Sequence, residues 1–346
     1  MARNKRMGGA IAACIVSAAL MHVAVADEVA DFFKGKAVTV VVGHQAGTGF
    51  DVYSRVLIRH MGRHIPGSPD MLVQNMTGAS GVVAANWLYN IAPKDGTVMG
   101  IFANTVPLEQ LFGNKRAKFE TAKMVWVGNM EQSVAICGVS KAAGVKTFAD
   151  LQKKETAFGA TGATGPLMKS ALAVKNLLGA KIRIISGYKG SASVKNAMQR
   201  GEVMGVCGLH WSTIKSRWRH ELQSGEFFPI LQLSGEHSAE LRGLAHVNDF
   251  IKNDEQRMLF NIIFGVHVIG RAYVLPPDVP KARIGALRKA FMATMADPRF
   301  LADAKKTNID IEPLTGEVVD RMWAEYARTP KSIIAKVKQV VTPPKK

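Results

Sequence analysis

Val38-Thr39-Val40-Val41-Val42-Gly43-His44-Gln45-Ala46-Gly47-Thr48-Gly49-Phe50-Asp51 decides the fold of this chain. The nearly unbroken β-branched run from Val38 to Val42 reads as a parallel strand buried on both faces. A polar, glycine-rich loop follows, and Asp51, suited to an N-cap, opens a helix with apolar residues at Val52, Val56, Leu57 and Met61. The same unit recurs downstream. Met71 to Gln74 reads as a strand, Gly78-Ala79-Ser80-Gly81 as its loop and Val82 to Ile91 as its helix; after the turn Ala92-Pro93-Lys94-Asp95-Gly96, Val98 to Phe102 reads as a third strand, leading through Asn104 and Thr105 to a short helix from Pro107.

A second set begins near Ser133. Strands are expected at Val134 to Val139, Thr156 to Gly159, Lys181 to Ser186 and Val203 to Cys207, with Gly208-Leu209-His210-Trp211 as the exit of the last. Between them lie Gly159-Ala160-Thr161-Gly162-Ala163-Thr164-Gly165, then Pro166 at the first turn of a helix, and Gly187-Tyr188-Lys189-Gly190-Ser191 before another. After Pro229, Ile230 to Leu233 and Ile262 to Ile269 read as further strands, and Lys281 to Met295 as a helix. Strands alternating with helices give an α/β class with parallel sheets.

The chain has 346 residues and a net charge of +18. Arg3, Lys5 and Arg6, an apolar stretch from Met7 to Val25 and the small residues Ala24-Val25-Ala26 are in the order of a cleavable secretory signal peptide, residues 1–26. A membrane anchor fits less well, since Gly8, Gly9, Ser17 and His22 interrupt the run; a lipoprotein reading at Cys14 is a minor alternative because most of the apolar run lies after it. Cleavage removes three basic side chains and no acidic ones, so +18 becomes about +15 over 320 residues. That length normally makes two domains. Export and the absence of any run of five or six like charges argue against nucleic acid as the partner, and leave anionic small molecules as candidates.

At least five glycine-rich or polar loops stand between a strand's end and a helix's start. In open α/β sheets ligands bind at that edge, where unpaired N–H groups at helix N-termini accept carboxylates or phosphates. Catalytic signatures are weak. Gly47-Thr48-Gly49 lacks the third glycine of a dinucleotide fingerprint, no loop ends in Gly-Lys-Ser/Thr, and Gly78-Ala79-Ser80-Gly81 is one residue short of a hydrolase elbow. His60 and His64 have i, i+4 spacing but lack the following glutamate and read as surface histidines, not a metal pair. Neither an enzyme nor a cofactor is expected. With Cys14 removed, Cys137 and Cys207 are free to pair in an oxidising compartment; spacing alone does not show that they do.

GHQAGTGFDVYSRVLIRHMGRHIPGSPDMLVQNMTGASGVVAANWLYNIAPKDGTVMGIF, Gly43 to Phe102, closely resembles the extracytoplasmic solute receptors of tripartite tricarboxylate transporters, the Bug family. KTFADL (Lys146 to Leu151), GYKGSASVKNAMQRGEV (Gly187 to Val203) and LPPDVPKARIGALRKAF (Leu275 to Phe291) fit as well, so the likeness covers nearly the whole mature chain. The resemblance implies a periplasmic-binding-protein-like (type II) Venus flytrap: residues 27–130 plus 229–346 in one domain, 131–228 in the other, joined by a hinge crossed twice. It implies a monomeric periplasmic receptor that holds an organic carboxylate and delivers it to the membrane subunits of a tripartite carrier, with a ligand-sensing receptor for a signalling partner as the alternative. Carried onto this sequence, the first-domain contacts are Gln45, Thr48, Gly49, Phe50, Ser80, Gly81, Asn104 and Thr105, and the second-domain contacts Thr161, Gly162, Ala163, Thr164, Tyr188 and His210. Asp51 matches a recurrent acidic position and reads as a helix cap. Where many relatives have a proline and a run of glycines, this chain has His44 to Gly49, which brings a carboxamide and a hydroxyl toward the cleft. A subgroup with cysteines in similar places implies that Cys137 and Cys207 are bonded.

Overall fold

The computed structural model describes residues 28–343, so the signal-peptide and Cys14 readings lie outside the described residues. Val38, Val40, Val41 and Val42 of β1 (Ala37–Val42) are completely buried, as a central strand requires. β1 pairs in parallel with β2 (Asp70–Asn75) on one side and β3 (Val98–Ile101) on the other. Helix α1 (Gly49–Met61) lays Phe50, Tyr53, Val56, Leu57 and Met61 on that sheet, and α2 (Val82–Asn90) buries Val82, Ala84, Ala85 and Leu88. These apolar positions recur with the period of a helix that covers a core on one face.

The remaining strands are β4 (Val125–Asn129), β5 (Ala135–Ser140), β6 (Thr156–Ala160), β7 (Ile182–Ser186), β8 (Gly205–His210), β9 (Phe227–Leu233), β10 (Ala272–Leu275) and β11 (Leu314–Thr315). They make two sheets, ordered β11-β4-β10-β3-β1-β2 and β7-β6-β8-β5-β9. Setting β11 aside, the two orders are the same: second, first and third strand, then the strand that enters after a crossing, then the fourth. The entering strand is antiparallel to both neighbours in each sheet, β10 in the first and β5 in the second. The sheets are therefore mixed, where the alternation of strands and helices predicts parallel ones. The chain passes between the sheets twice, at residues 130–134 and 234–271.

Three sequence expectations shift. Residues 262–269 are not a strand: Ile262 and Ile263 end helix α6 (Asp254–Ile263), and a 3-10 turn spans Gly265–Val268. A short apolar run does not distinguish a buried strand from the end of an amphipathic helix. β9 runs through the boundary drawn at 228–229 and lies wholly in the second sheet. Helix α10 (Lys331–Val341) packs on α3 (Pro166–Leu178) behind the second sheet, Asn176 donating to the Val340 carbonyl at 2.7 Å.

Cys137 and Cys207 are directly opposed on β5 and β8 and form a disulfide, with a Cα–Cα distance of 3.9 Å across a sequence separation of 70. Gly208, next to Cys207, is the extra residue of a β-bulge: Ile136 pairs with Leu209, and Cys137 with Cys207. Its φ of +76° suits glycine, and a Cβ there would stand 2.6 Å from the Pro166 carbonyl. Replacing both cysteines with alanine opens this loop; we expect a loss of about 4 kcal/mol by the chain-entropy model, read as a lowered urea midpoint with a steeper slope, because the denatured chain expands without the crosslink.

Candidate functional site

Three helices begin at one point between the sheets. The N-termini of α1 after Thr48, α3 after Gly165 and α4 (Ser191–Gln199) after Gly190 meet there, and none has a side-chain cap bond. Their first N–H groups and partial positive charge make the locus suited to an anion. The cavity at this point is about 40 Å³. Of the expected contacts, Thr48, Gly49, Phe50, Thr161 and His210 line it.

Five further expected residues clamp the two sides together. Gln45 exchanges bonds of 3.1 and 3.2 Å with Ser193. The Thr105 hydroxyl donates to the Thr164 carbonyl at 2.8 Å, the Thr164 hydroxyl to the Ala79 carbonyl at 2.5 Å, and Ser80 reaches the Gly162 carbonyl at 3.5 Å. Gly190 lies against Thr48, where a Cβ would come within 2.9 Å of the threonine methyl. Gly81 is buried in the strained turn behind Ser80, in which Ala79 and Ser80 also have positive φ. Asn104 faces away from the cavity, donating to the Val266 carbonyl at 3.0 Å and His267 Nδ1 at 3.3 Å. Ala163 is exposed, and Tyr188 turns outward to Glu202, its hydroxyl 3.2 Å from the carboxylate. Neither Ala163 nor Tyr188 lines the cavity.

Asp51 is not the N-cap. The helix starts two residues earlier, and the Asp51 carboxylate in its first turn accepts from the Gly47 N–H at 2.9 Å, Arg55 at 2.9 Å and Asn75 at 3.0 Å. It shapes the loop from within. His60 and His64 bond to Asp303 and Asp297 at 2.8 and 2.9 Å, tying the end of α1 to α8 (Pro298–Thr307) and its N-cap.

The sequence reading missed the floor of the cavity. Arg271, just before β10, is 1% exposed. Its backbone N–H donates to Asn129 at 2.8 Å, Nη1 to the Gly270 carbonyl at 2.9 Å and to His210 Nδ1, and Nη2 to the Thr213 hydroxyl at 2.9 Å. The guanidinium lies 4.6 Å from the Phe50 ring centroid and 4.8 Å from that of Tyr53, and Nε is 3.5 Å from Glu131 on the first crossing. His44 stacks on Phe50 with centroids 4.4 Å apart.

Three histidines surround this charge. Burial, reinforced by Arg271, lowers His44 to about 4; burial alone lowers His267 to about 4. Burial, then Arg271 and the other two imidazoles, holds His210 well below its usual value. All three are neutral at pH 7. Arginine only donates, so His210 Nδ1 accepts and its proton sits on Nε2. That Nε2, His44 Nε2 and Thr161 Oγ1 are buried without a hydrogen-bond partner.

A second ion pair spans the cleft above this floor. Lys169 on α3 meets Glu109 at 2.6 Å, both nearly buried, with the ammonium 4.7 Å from the Phe112 centroid. Burial pulls the lysine pKa down, and Glu109 opposes it. A larger cavity, about 670 Å³, is lined by Glu131 and by Lys215, which bridges Glu240 and Asp310. No helix start of α1, α3 or α4 opens onto it, so the smaller cavity is the better candidate for an anion. Among the described residues no cluster of metal-ligating side chains occurs, and no helix is long and apolar enough to cross a membrane.

No family model matches the chain, and no curated protein sequence matches it. Solved structures do. The periplasmic binding protein BugD is 16% identical with a TM-score of 0.71, covering 88% of this chain and 98% of its own. Rpa4515 of R. palustris, solved with adipate, is 17% identical with a TM-score of 0.70 over 88% and 98%. MatC from Rhodopseudomonas palustris, with bound malate, is 16% identical with a TM-score of 0.68 over 89% and 100%. The chain has the two-domain fold of periplasmic binding proteins. Its two matching sheets, crossed twice, are the type II flytrap that the resemblance implies.

The neutral histidines make stability depend on pH with a definite sign. The unfolded chain binds protons near pH 6.5 that the folded chain refuses until about 4, so stability falls as pH drops through that window. Each of His44 and His267 contributes a loss of up to roughly 3 kcal/mol. His44→Phe keeps the stack on Phe50 and removes one titration; melting temperatures from pH 7.5 to 4.5 are expected to fall less steeply in the variant than in the wild type.

Proposed function

We propose that the chain belongs to the Bug family of solute receptors and works in the periplasm, capturing a small organic carboxylate between its two units and delivering it to the membrane subunits of a tripartite tricarboxylate-type carrier. One observation carries the reading: three uncapped helix starts and three unpartnered buried polar groups converge on the same small cavity between the units. Buried polar groups are normally bonded, and a carboxylate supplies the acceptors that these donors lack. Adipate and malate accompany two proteins of the same fold.

The contacts proposed for the carboxylate are Thr48, Gly49, Phe50, Thr161 and His210, with Gln45, Ser80, Thr105, Gly162 and Thr164 as the clamp that shuts over it. A cavity of about 40 Å³ has room for only a few atoms, so a carboxylate enters as the two units part at 130–134 and 234–271. The carrier subunits then meet the closed form, whose surface differs from that of the open one.

Calorimetry of the refolded protein against propionate, succinate, malate, adipate, citrate and benzoate tests this. At least one is expected to bind and, at a hundredfold excess over its Kd, to stabilise the fold by about 2.7 kcal/mol. No heat and no rise in melting temperature across the six would end the carboxylate reading.

A further inference from the structure

The carboxylate reading does not by itself say what meets the negative charge, and helix starts alone bind neutral acceptors as well. Arg271 lines the cavity with a guanidinium, a planar cation whose N–H fork matches a carboxylate. Its Nη1 is committed to His210 and Gly270, and Nη2 makes one bond, to Thr213. Nε has no hydrogen-bond partner, since Glu131 stands off at 3.5 Å. The Phe50 and Tyr53 rings hold the guanidinium in place. Beside it, His210 presents an Nε2–H with no acceptor, and the Thr161 hydroxyl is also unpartnered; these residues are each 4% exposed. An unmade bond at a buried donor is costly, and a carboxylate with two oxygens answers both a guanidinium and an imidazole N–H.

We propose that Arg271 is the counter-charge for the carboxylate and that His210 Nε2–H is the donor beside it, so that the cleft separates a carboxylate from its uncharged amide through side chains, not through backbone alone. This rests on the carboxylate reading and deepens it. Arg271 ends the second crossing at the edge of β10 and His210 ends β8 of the second sheet, so the pair stands where the two units meet. Glu131 stays beside the arginine, leaving the empty floor near neutral overall and the occupied floor with one negative charge to spread over the helix starts.

The test uses the six carboxylates above, each beside its primary amide, with wild type, Arg271→Met, Arg271→Lys and His210→Phe. Wild type is expected to favour carboxylate over amide. Arg271→Met should lose ten- to hundredfold of that preference while its affinity for the amide changes less than threefold; Arg271→Lys should retain much of it. His210→Phe, which keeps a ring in place but removes the donor, should lose about fivefold for the carboxylate. A merely structural arginine would weaken acid and amide together. Unchanged preference in Arg271→Met overturns the inference, and if that variant does not fold, unchanged preference in His210→Phe does so. Wild type that binds none of the six removes the carboxylate reading itself, an outcome distinct from wild type that binds and variants that discriminate equally well.

Discussion

A guanidinium buried between two aromatic rings sets the terms for the rest of the cleft. Removing such a charge from water is costly unless neighbours compensate it. Glu131 on one crossing supplies the opposite charge, Gly270 and Thr213 supply acceptors, and the three imidazoles stay uncharged because they are buried, with Arg271 adding to that effect at His44 and His210. The same side chain ties the two units together, since Thr213 and His210 reach Arg271 from the second unit.

The scaffold was readable where sequence neighbours determine the outcome. The run Val38 to Val42 is β-branched because a strand between two parallel partners is buried on both faces, and the loop after it needs glycine because Thr213 and Arg271 approach the Gly49 backbone too closely for a Cβ. The fourteen expected contacts came from the family resemblance, and ten of them line the cavity or clamp it. Among the rest, Tyr188 turns to Glu202 and Ala163 to solvent.

Arg271 was not readable, because its environment is assembled from positions 44, 50, 53, 131, 210 and 213, none a neighbour in the chain. The residues before it compounded the difficulty: an apolar stretch taken for a strand is the end of α6 and a 3-10 turn, which places Arg271 at the mouth of β10. Likewise the disulfide was a possibility of composition until the register of β5 and β8 put the two cysteines opposite each other, one residue from the bulge that leads to His210.

Lys169 and Glu109 join the two units through charges that are both buried. In the closed form the pair is dry, and its attraction is set against the hydration both groups have given up. Parting the two faces would return water to each charge and restore most of what the broken contact removes. Such a pair therefore adds little net stability, yet it fixes the register in which the faces meet, since a misaligned contact would bury either charge alone.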